Sequence, residues 1–380
     1  MSKLSTALMI GAAVAALAAC DRKDRPAVPP GQAHAPSAAS PTAPAAAAPV
    51  LQTRSETRRF RDWSVTCGND GACWAFGFAP EFGAGWVRVT LQPGPDARPE
   101  IDFGYWPDEG RKAGQIALVI DARAYPASQS GDPETPIGAI RTDALAVIDA
   151  MLQGKTATIR GAASQIVSLN GASAALLWID EKQGRLNTPT ALVRRGDRPA
   201  SSVPVAPPLP VVAPAPAANQ AGFGDQGQTV PAALRSRTEV GTCLKESQNP
   251  AVGDMVISAR LDARTELWGV PCGAGAYNVT HNWYVTGPGG RDPRPVDLVG
   301  TGGAGRGVDQ PDNSTVNGQY DPGSRTLSAF AKGRGIGDCG VSQTWVWTGD
   351  RFTLGGESVM GDCAGVPSDY WPMTWRSRSR

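Results

Sequence analysis

Apolar and polar residues alternate with a period of two over most of the chain, the mark of half-buried β-strands. Trp63-Ser-Val65-Thr-Cys67 and Cys73-Trp74-Ala-Phe76-Gly-Phe78 both show it. Between them lies Gly68-Asn69-Asp70-Gly71, a tight-turn sequence, so the pattern predicts a hairpin. Further strands are predicted over 86–91, 101–106 and 115–120. The period then becomes helical. Leu145, Ile148 and Leu152 recur on one face, with Asp143 as cap and Gly154 as stop. After a strand over 156–160, Ala172, Ala175, Leu176 and Ile179 mark a second helix ending at Gly184. A strand over 190–193 completes this half.

Past residue 230 the alternation returns over 255–261, 267–270, 279–285, 296–299, 326–330, 344–347, 351–354 and 358–360. Asp321-Pro322-Gly323 and Thr348-Gly349-Asp350 are hairpin turns. No helical period stands out here. The expected fold is mainly β, of the α+β class. An N-terminal antiparallel sheet domain carries two helices, and a C-terminal all-β sheet or small barrel follows.

Composition divides the chain. Its 380 residues include Pro 33 and Gly 45, and two Pro/Ala-rich runs stand out. These place a leader at 1–20, a disordered tether at 21–53, a first domain at 54–198, a linker at 199–229, a second domain at 230–376 and a short tail at 377–380. The tether cannot bury enough apolar surface to fold. A net charge of +1 gives no electrostatic footing for nucleic acid.

The leader has a basic residue at Lys3, an apolar run over 7–19, and the ending Leu17-Ala18-Ala19-Cys20. The run is short for a membrane span. The ending resembles a bacterial lipobox, which implies cleavage before Cys20, acylation of its thiol, and anchorage to a lipid bilayer. The expected location is the bacterial cell envelope, lipid-anchored and facing the periplasm. Asp21 resembles an inner-membrane retention signal of enteric-type bacteria, and the choice of membrane stays open. Six cysteines remain, with fifteen possible pairings. The linker separates the halves, so the expected disulfides are Cys67–Cys73, Cys243–Cys272 and Cys339–Cys363. There is no C-x-x-C pair, and the histidines are His34, in the tether, and His281. Neither a metal nor a cofactor is expected.

Three places carry candidate chemistry. The loop Lys332-Gly-Arg334-Gly-Ile-Gly-Asp338 has glycines whose N–H groups can converge on an anion, with two cations beside them. It lacks the Gly-Lys-Ser/Thr end of a phosphate loop, and a disulfide-closed structural turn, with the charges pairing to Asp338, competes with that reading. Asp180 and Glu181 at a helix end are a carboxylate pair suited to acid–base work, although Glu181 and Arg185 also fit an i,i+4 ion pair. His281 on a strand reads as a packing residue, because no nucleophile motif accompanies it; Ser342 has no elbow sequence around it. Trp268, Trp283, Trp345, Trp347, Trp371 and Trp375 crowd the second half and read as core rather than as a stacking platform.

Several segments together resemble a known family: Phe60-Arg-Asp-Trp63-x-Val-x-Cys67, the stretch 171–185, Leu267-Trp-Gly-Val-Pro-Cys272 through Asn278, Lys332 through Gly340, and the tail Tyr370-Trp-Pro-Met-Thr-Trp375. The set is similar to a proteobacterial envelope family, domain of unknown function 1176, to which no activity is assigned. Leu186-Asn187-Thr188 departs from the Val-Gly-Thr of that pattern. The opening is also similar to the invasion-associated locus B proteins, which are secreted or periplasmic. The sequence therefore points to a non-catalytic binding or structural module whose partner is an envelope protein or cell-wall glycan. Two alternatives stand beside it: an inhibitor of a lytic enzyme such as lysozyme, and a hydrolase using Asp180 or Glu181.

Overall fold

The alternating strands of the first half pair in order of the chain. The computed structural model describes residues 51, 54–80, 85–106, 114–130, 135–161, 164–225, 228–246, 250–301 and 311–380. The leader, Cys20, His34 and all of the tether but residue 51 lie outside the described residues. Glu56–Phe60, Trp63–Cys67, Cys73–Phe78, Gly85–Leu91 and Glu100–Tyr105 run antiparallel side by side, and Ile137–Ile140 and Ser128–Ser130 complete a seven-stranded sheet. A four-stranded antiparallel sheet holds Ser164–Ser168, Thr156–Arg160, Ala117–Ile120 and Arg123–Tyr125.

Both faces of the larger sheet are covered, which is why Cys73–Phe78 is buried at nearly every position. Val65, Ala75, Val87, Val89 and Phe103 meet the helices Ala144–Gln153 and Ala172–Lys182 on one side. Ala172, Ala175, Leu176 and Ile179 all point into that core, as the helical period requires. Asp143 takes the N-cap position of the first helix without a side-chain capping bond. The expected strand over 190–193 is instead a loop wrapped around a buried carboxylate, whose oxygens replace a partner strand as acceptors.

Among the described residues the second half forms two five-stranded sheets and no closed barrel. One holds Ile257–Arg260, Glu266–Ala274, Val279–Gly287 and Arg291–Pro295, with Ser314–Val316 also paired to Val279–Gly287. The other holds Gln319–Asp321, Thr326–Lys332, Gly340–Trp347, Phe352–Met360 and Met373–Arg376. Leu267, Trp283, Val285, Leu327, Trp345 and Trp347 fill one core shared by the two sheets. Trp268 and Trp371 are buried as well, in separate clusters, and Trp375 is half-buried.

Three differences from the alternation pattern have physical causes. The expected strand over 296–299 gives way to Arg291–Pro295, because Val296 and Leu298 turn inward as core anchors without a continuous ladder. The strands expected over 351–354 and 358–360 are one, Phe352–Met360, which carries its two glycines through a register shift. Helices also appear at Ala232–Arg235, Thr238–Glu246 and Pro250–Gly253. They cover the outer face of the first of these sheets, where Leu234, Val240 and Cys243 meet Trp268, Val270 and Tyr284. Helices this short gain stability from that contact rather than from propensity.

A further apolar cluster joins the halves. Trp74, Phe76 and Trp86 on the other face of the seven-stranded sheet pack with Met360, Val366 and Trp371. The Trp86 indole N–H donates to the Gly365 carbonyl at 3.1 Å. The described residues of both halves belong to one unit of contacts, residues 47–380. The Pro/Ala run between them is pinned where Val211–Val212 pairs in parallel with Arg378–Ser379 and where the Leu51 N–H donates to the Val205 carbonyl. Among the described residues no helix is long and apolar enough to cross a membrane.

Candidate functional site

The three expected disulfides are all present, Cys67–Cys73, Cys243–Cys272 and Cys339–Cys363, with Cα separations of 4.1, 4.3 and 4.8 Å. Cys67 and Cys73 face one another across the ladder of the first hairpin. Cys243 ties the helix Thr238–Glu246 to the strand Glu266–Ala274.

The Cys339 bridge closes the loop from Lys332 to Gly340. Lys332 and Gly340 are register partners at the mouth of the hairpin. Gly340 has φ +135°, and a Cβ there would lie 2.0 Å from the Ala331 carbonyl oxygen, so only glycine fits. Inside the loop, Arg334 donates to both oxygens of Asp338 at 2.6 and 2.5 Å, and the Gly365 N–H donates to the same carboxylate at 2.7 Å. Burial opposes the charge of Asp338, yet the guanidinium and the N–H outweigh it and hold the carboxyl below its ordinary range. The Lys332 ammonium sits 5.8 Å from the Phe330 ring centre. The sequence-predicted trio of Lys332, Arg334 and Asp338 is thus together, with Arg334 already neutralised. Tyr277 beside the loop and Ile336 within it are 43% and 52% exposed.

Asp180 and Glu181 part company. Asp180 is buried and accepts the N–H groups of Leu192, Val193 and Arg194 at 2.7, 2.9 and 3.3 Å, while Glu181 faces solvent. Burial pushes the Asp180 carboxyl up, against the three N–H donors and Arg185. The expected Glu181–Arg185 ion pair is absent. Arg185 is fully buried and turns to Gln183, Thr190 and the carbonyls of Gln92 and Gly94. Burial lowers its pKa to about 10, partly offset by Asp180. The helix ends at Lys182, so spacing by four no longer places residue 185 over residue 181.

Every other buried carboxylate among the described residues has the same employment. Asp102 accepts from Arg88 at 2.6 Å and Arg141 at 2.7 Å, and Arg88 also donates to the Tyr370 carbonyl across the junction of the halves. Glu266 accepts the N–H groups of Gly289 and Gly290 and the Trp268 indole. Glu357 accepts from Gln343, Thr301 and Thr374. Asp70 accepts from Ala72 and pairs with Arg376. Each holds a loop or a sheet edge.

His281 is the contrast. It is 4% exposed, and it lines a cavity of about 780 Å³ with Asp225, Asp254, Met255, Asn317 and Tyr320 among its neighbours. One ring nitrogen, Nε2, lies 2.9 Å from the Met255 carbonyl oxygen. A carbonyl only accepts, so Nε2 carries the proton. Burial pushes the imidazole below its ordinary range, against the Met255 bond, and leaves it neutral at pH 7. Nδ1 is then a lone-pair acceptor, and it has no partner; nor has the Tyr320 hydroxyl. An unpaired buried polar group costs about 1–3 kcal/mol, and among the described residues Thr90, Ser314, Arg325 and Trp347 carry such atoms as well. Burial pushes the Tyr320 hydroxyl up to about 12, so it stays protonated. Asn317 has φ +50° and is saturated: it donates to Asn278 and the Phe330 carbonyl and accepts the Val279 N–H.

A second cavity of about 480 Å³ has Arg59 and Asp362 in its lining, but those two are paired at 2.5 Å. The residues around His281 come from separate stretches at 225, 254, 281 and 317–320, and no spacing in the chain announces them. The Asn317-Gly318 turn dipeptide is the one local sign of the bend that brings Tyr320 there.

Comparison with known proteins adds two findings. The family described as protein of unknown function (DUF1176) matches residues 57–378. The uncharacterized protein YpfG of Escherichia coli (strain K12) is 32% identical over 342 residues, which is 84% of this chain and 93% of the relative.

Proposed function

The chain belongs to the DUF1176 family of proteins of unknown function, and from that premise we propose that it is a lipid-anchored binding module of the cell envelope, facing the periplasm and without catalysis of its own. One observation carries the non-catalytic reading: all the buried carboxylates among the described residues are occupied by donors that hold the fold. A carboxylate at work in acid–base catalysis must be open to substrate; of the two residues the hydrolase reading offers, Asp180 is closed off by a loop and Glu181 faces solvent alone, without the paired carboxylate that reading draws on. Three disulfides support an oxidising compartment, and the leader ending at Cys20 supports acyl anchorage on the bilayer.

Mass spectrometry of the mature protein tests the anchor. The expected product begins at an acylated Cys20; an unmodified first residue removes the anchor from this reading. Crosslinking in cells tests the binding role. Recovery of lipid and bulk wall material alone counts against a specific partner protein.

A second reading, inhibition of a lytic enzyme, draws on the exposed Ile336 and on Lys332 of a loop braced by Cys339–Cys363 and Arg334–Asp338, with the exposed Tyr277 of a separate turn beside it. A lysozyme assay decides it. Inhibition that is lost in Lys332→Ala/Ile336→Ala supports the loop as the plug; undiminished lysis with the native protein ends the idea.

A further inference from the structure

The seven-stranded sheet is covered unevenly on the face that meets the second half. Thr57 pairs with Thr66, Arg59 with Ser64, and Ser64 with Phe76 across its ladders, so these side chains share one face. Phe76, with Trp74 and Trp86, packs with Met360, Val366 and Trp371. Towards the edge strand Glu56–Phe60 that cover stops: Thr57 and Arg59 are exposed and Ser64 is half-buried. The cavity of about 480 Å³ lies over this uncovered strip, and Thr301, Val359, Asp362 and Pro372 of the second half supply its other wall. Small-molecule sites of this size concentrate at such junctions.

The lining selects for a class of ligand. Six of its fourteen residues are serines or threonines, and a hydroxyl both donates and accepts, as the hydroxyls of a sugar do. Its charges are matched, Arg59 with Asp362 at 2.5 Å and Glu56 with Arg58 and Lys182. A charged ligand therefore finds no free counter-charge in the lining. The Arg59–Asp362 pair joins the two walls, with side chains 55% and 30% exposed, so a ligand can reach it. Asp362 also lies 3.5 Å from the Ser64 hydroxyl. These contacts leave further N–H groups on the guanidinium and lone pairs on the carboxylate for ring hydroxyls. Val359 and Pro372 offer apolar contact to the C–H face of a ring. A peptide added as a further strand fits less well, because the cavity lies over the face of the sheet and not along its edge, where the ladder groups are.

We propose that this cleft binds a short neutral saccharide, held through hydroxyl contacts by Thr57, Ser64, Arg59 and Asp362 and bridging the two halves. The proposal rests on the reading of the chain as a binding module and gives that module its ligand class.

The test is calorimetric titration of the purified, disulfide-intact protein with cellobiose, maltose and N,N′-diacetylchitobiose, and with two charged relatives, ammonium-bearing chitobiose and digalacturonate. At least one neutral disaccharide is expected to bind, and the charged ones about fivefold more weakly. Bound sugar should slow amide exchange on both walls, in the hairpin 56–67 and over 357–374. Gly361 lines the cavity, is exposed, and a Cβ added there meets no atom within 4 Å. Gly361→Trp should therefore keep the native melting temperature and weaken binding about tenfold by filling the cleft. Arg59→Gln/Asp362→Asn removes an exposed ion pair that contributes little to stability, and should weaken binding about fivefold through the loss of charge-assisted bonds. Failure of all three neutral sugars to bind, equal or tighter binding of the charged ones, protection of one wall only, or unchanged affinity in either folded variant overturns the saccharide cleft. The wider reading of a binding module then stands or falls on crosslinking in cells.

Discussion

At Asp338 burial and pairing oppose each other, and pairing wins. The carboxyl binds its proton less readily than an exposed aspartate does. Its stabilisation is therefore complete above about pH 4, the ordinary aspartate range, and is lost as pH falls through the lower value of the folded state. Asp338→Asn should cost on the order of 2–3 kcal/mol at pH 7, the worth of charge-assisted bonds at a buried site. The gap from the native protein should narrow at pH 3, which urea unfolding at both pH values measures. Asp180 makes a different prediction. Asp180→Ala strands the N–H groups of Leu192, Val193 and Arg194 and should destabilise by about 3 kcal/mol. Hydrogen exchange at those amides should rise before exchange elsewhere does. Sequence showed that these residues were charged and close to turns. It did not show which were buried, because a Glu-Lys-rich helix end reads as solvent-facing until Arg185 is seen to fold under it.

Among the elements, the helix Ala172–Lys182 depends on how it begins. Gly171 has φ +101°, and a Cβ there would stand 1.9 Å from the carbonyl oxygen of Phe60, on the neighbouring hairpin. Gly171→Ala must move that hairpin or the helix, and should cost at least about 2 kcal/mol in a thermal or urea melt. The helix Thr238–Glu246 relies instead on its bridge to the strand Glu266–Ala274. With Cys243 and Cys272 separated by 29 positions in the chain, chain entropy gives the bridge about 3–4 kcal/mol. Cys243→Ser/Cys272→Ser should lose that amount, and amide protection should fall first in this helix. Strands with two-residue alternation were legible in the chain: Trp63–Cys67, Cys73–Phe78 and Thr156–Arg160 lie where the pattern puts them. Glu56–Phe60 was not, since an edge strand exposed on its polar face shows little alternation. The helix Thr238–Glu246 was missed for a related reason. Its apolar face is narrow, and Trp268 and Tyr284 beneath it supply what its own sequence lacks.

In the whole molecule, the cluster of Trp74, Phe76, Trp86, Met360, Val366 and Trp371 couples the two halves, and Arg88 ties Asp102 to the Tyr370 carbonyl beside it. Calorimetry should show one cooperative transition. Trp371→Ala removes a buried indole and should cost about 3–5 kcal/mol. If the cluster is the main coupling, that variant melts in two steps, one for each half; a single unshifted transition would sink the coupling argument. The cavity around His281 belongs to this scale too, since its lining is gathered from stretches almost a hundred residues apart.

The order of apolar and polar residues determined the mainly β character, the first hairpins and both helices of the first half, because periods of two and of 3.6 are written locally. The number and place of the cysteines, with the Pro/Ala run between them, singled out Cys67–Cys73 and left three pairings for the four cysteines of the second half. Only the tertiary structure decided which carboxylates serve as internal acceptors, which strands face two cores, and where a neutral histidine is left with an unpaired nitrogen. Those outcomes turn on burial and on donors arriving from distant stretches, and a chain read in one dimension contains neither.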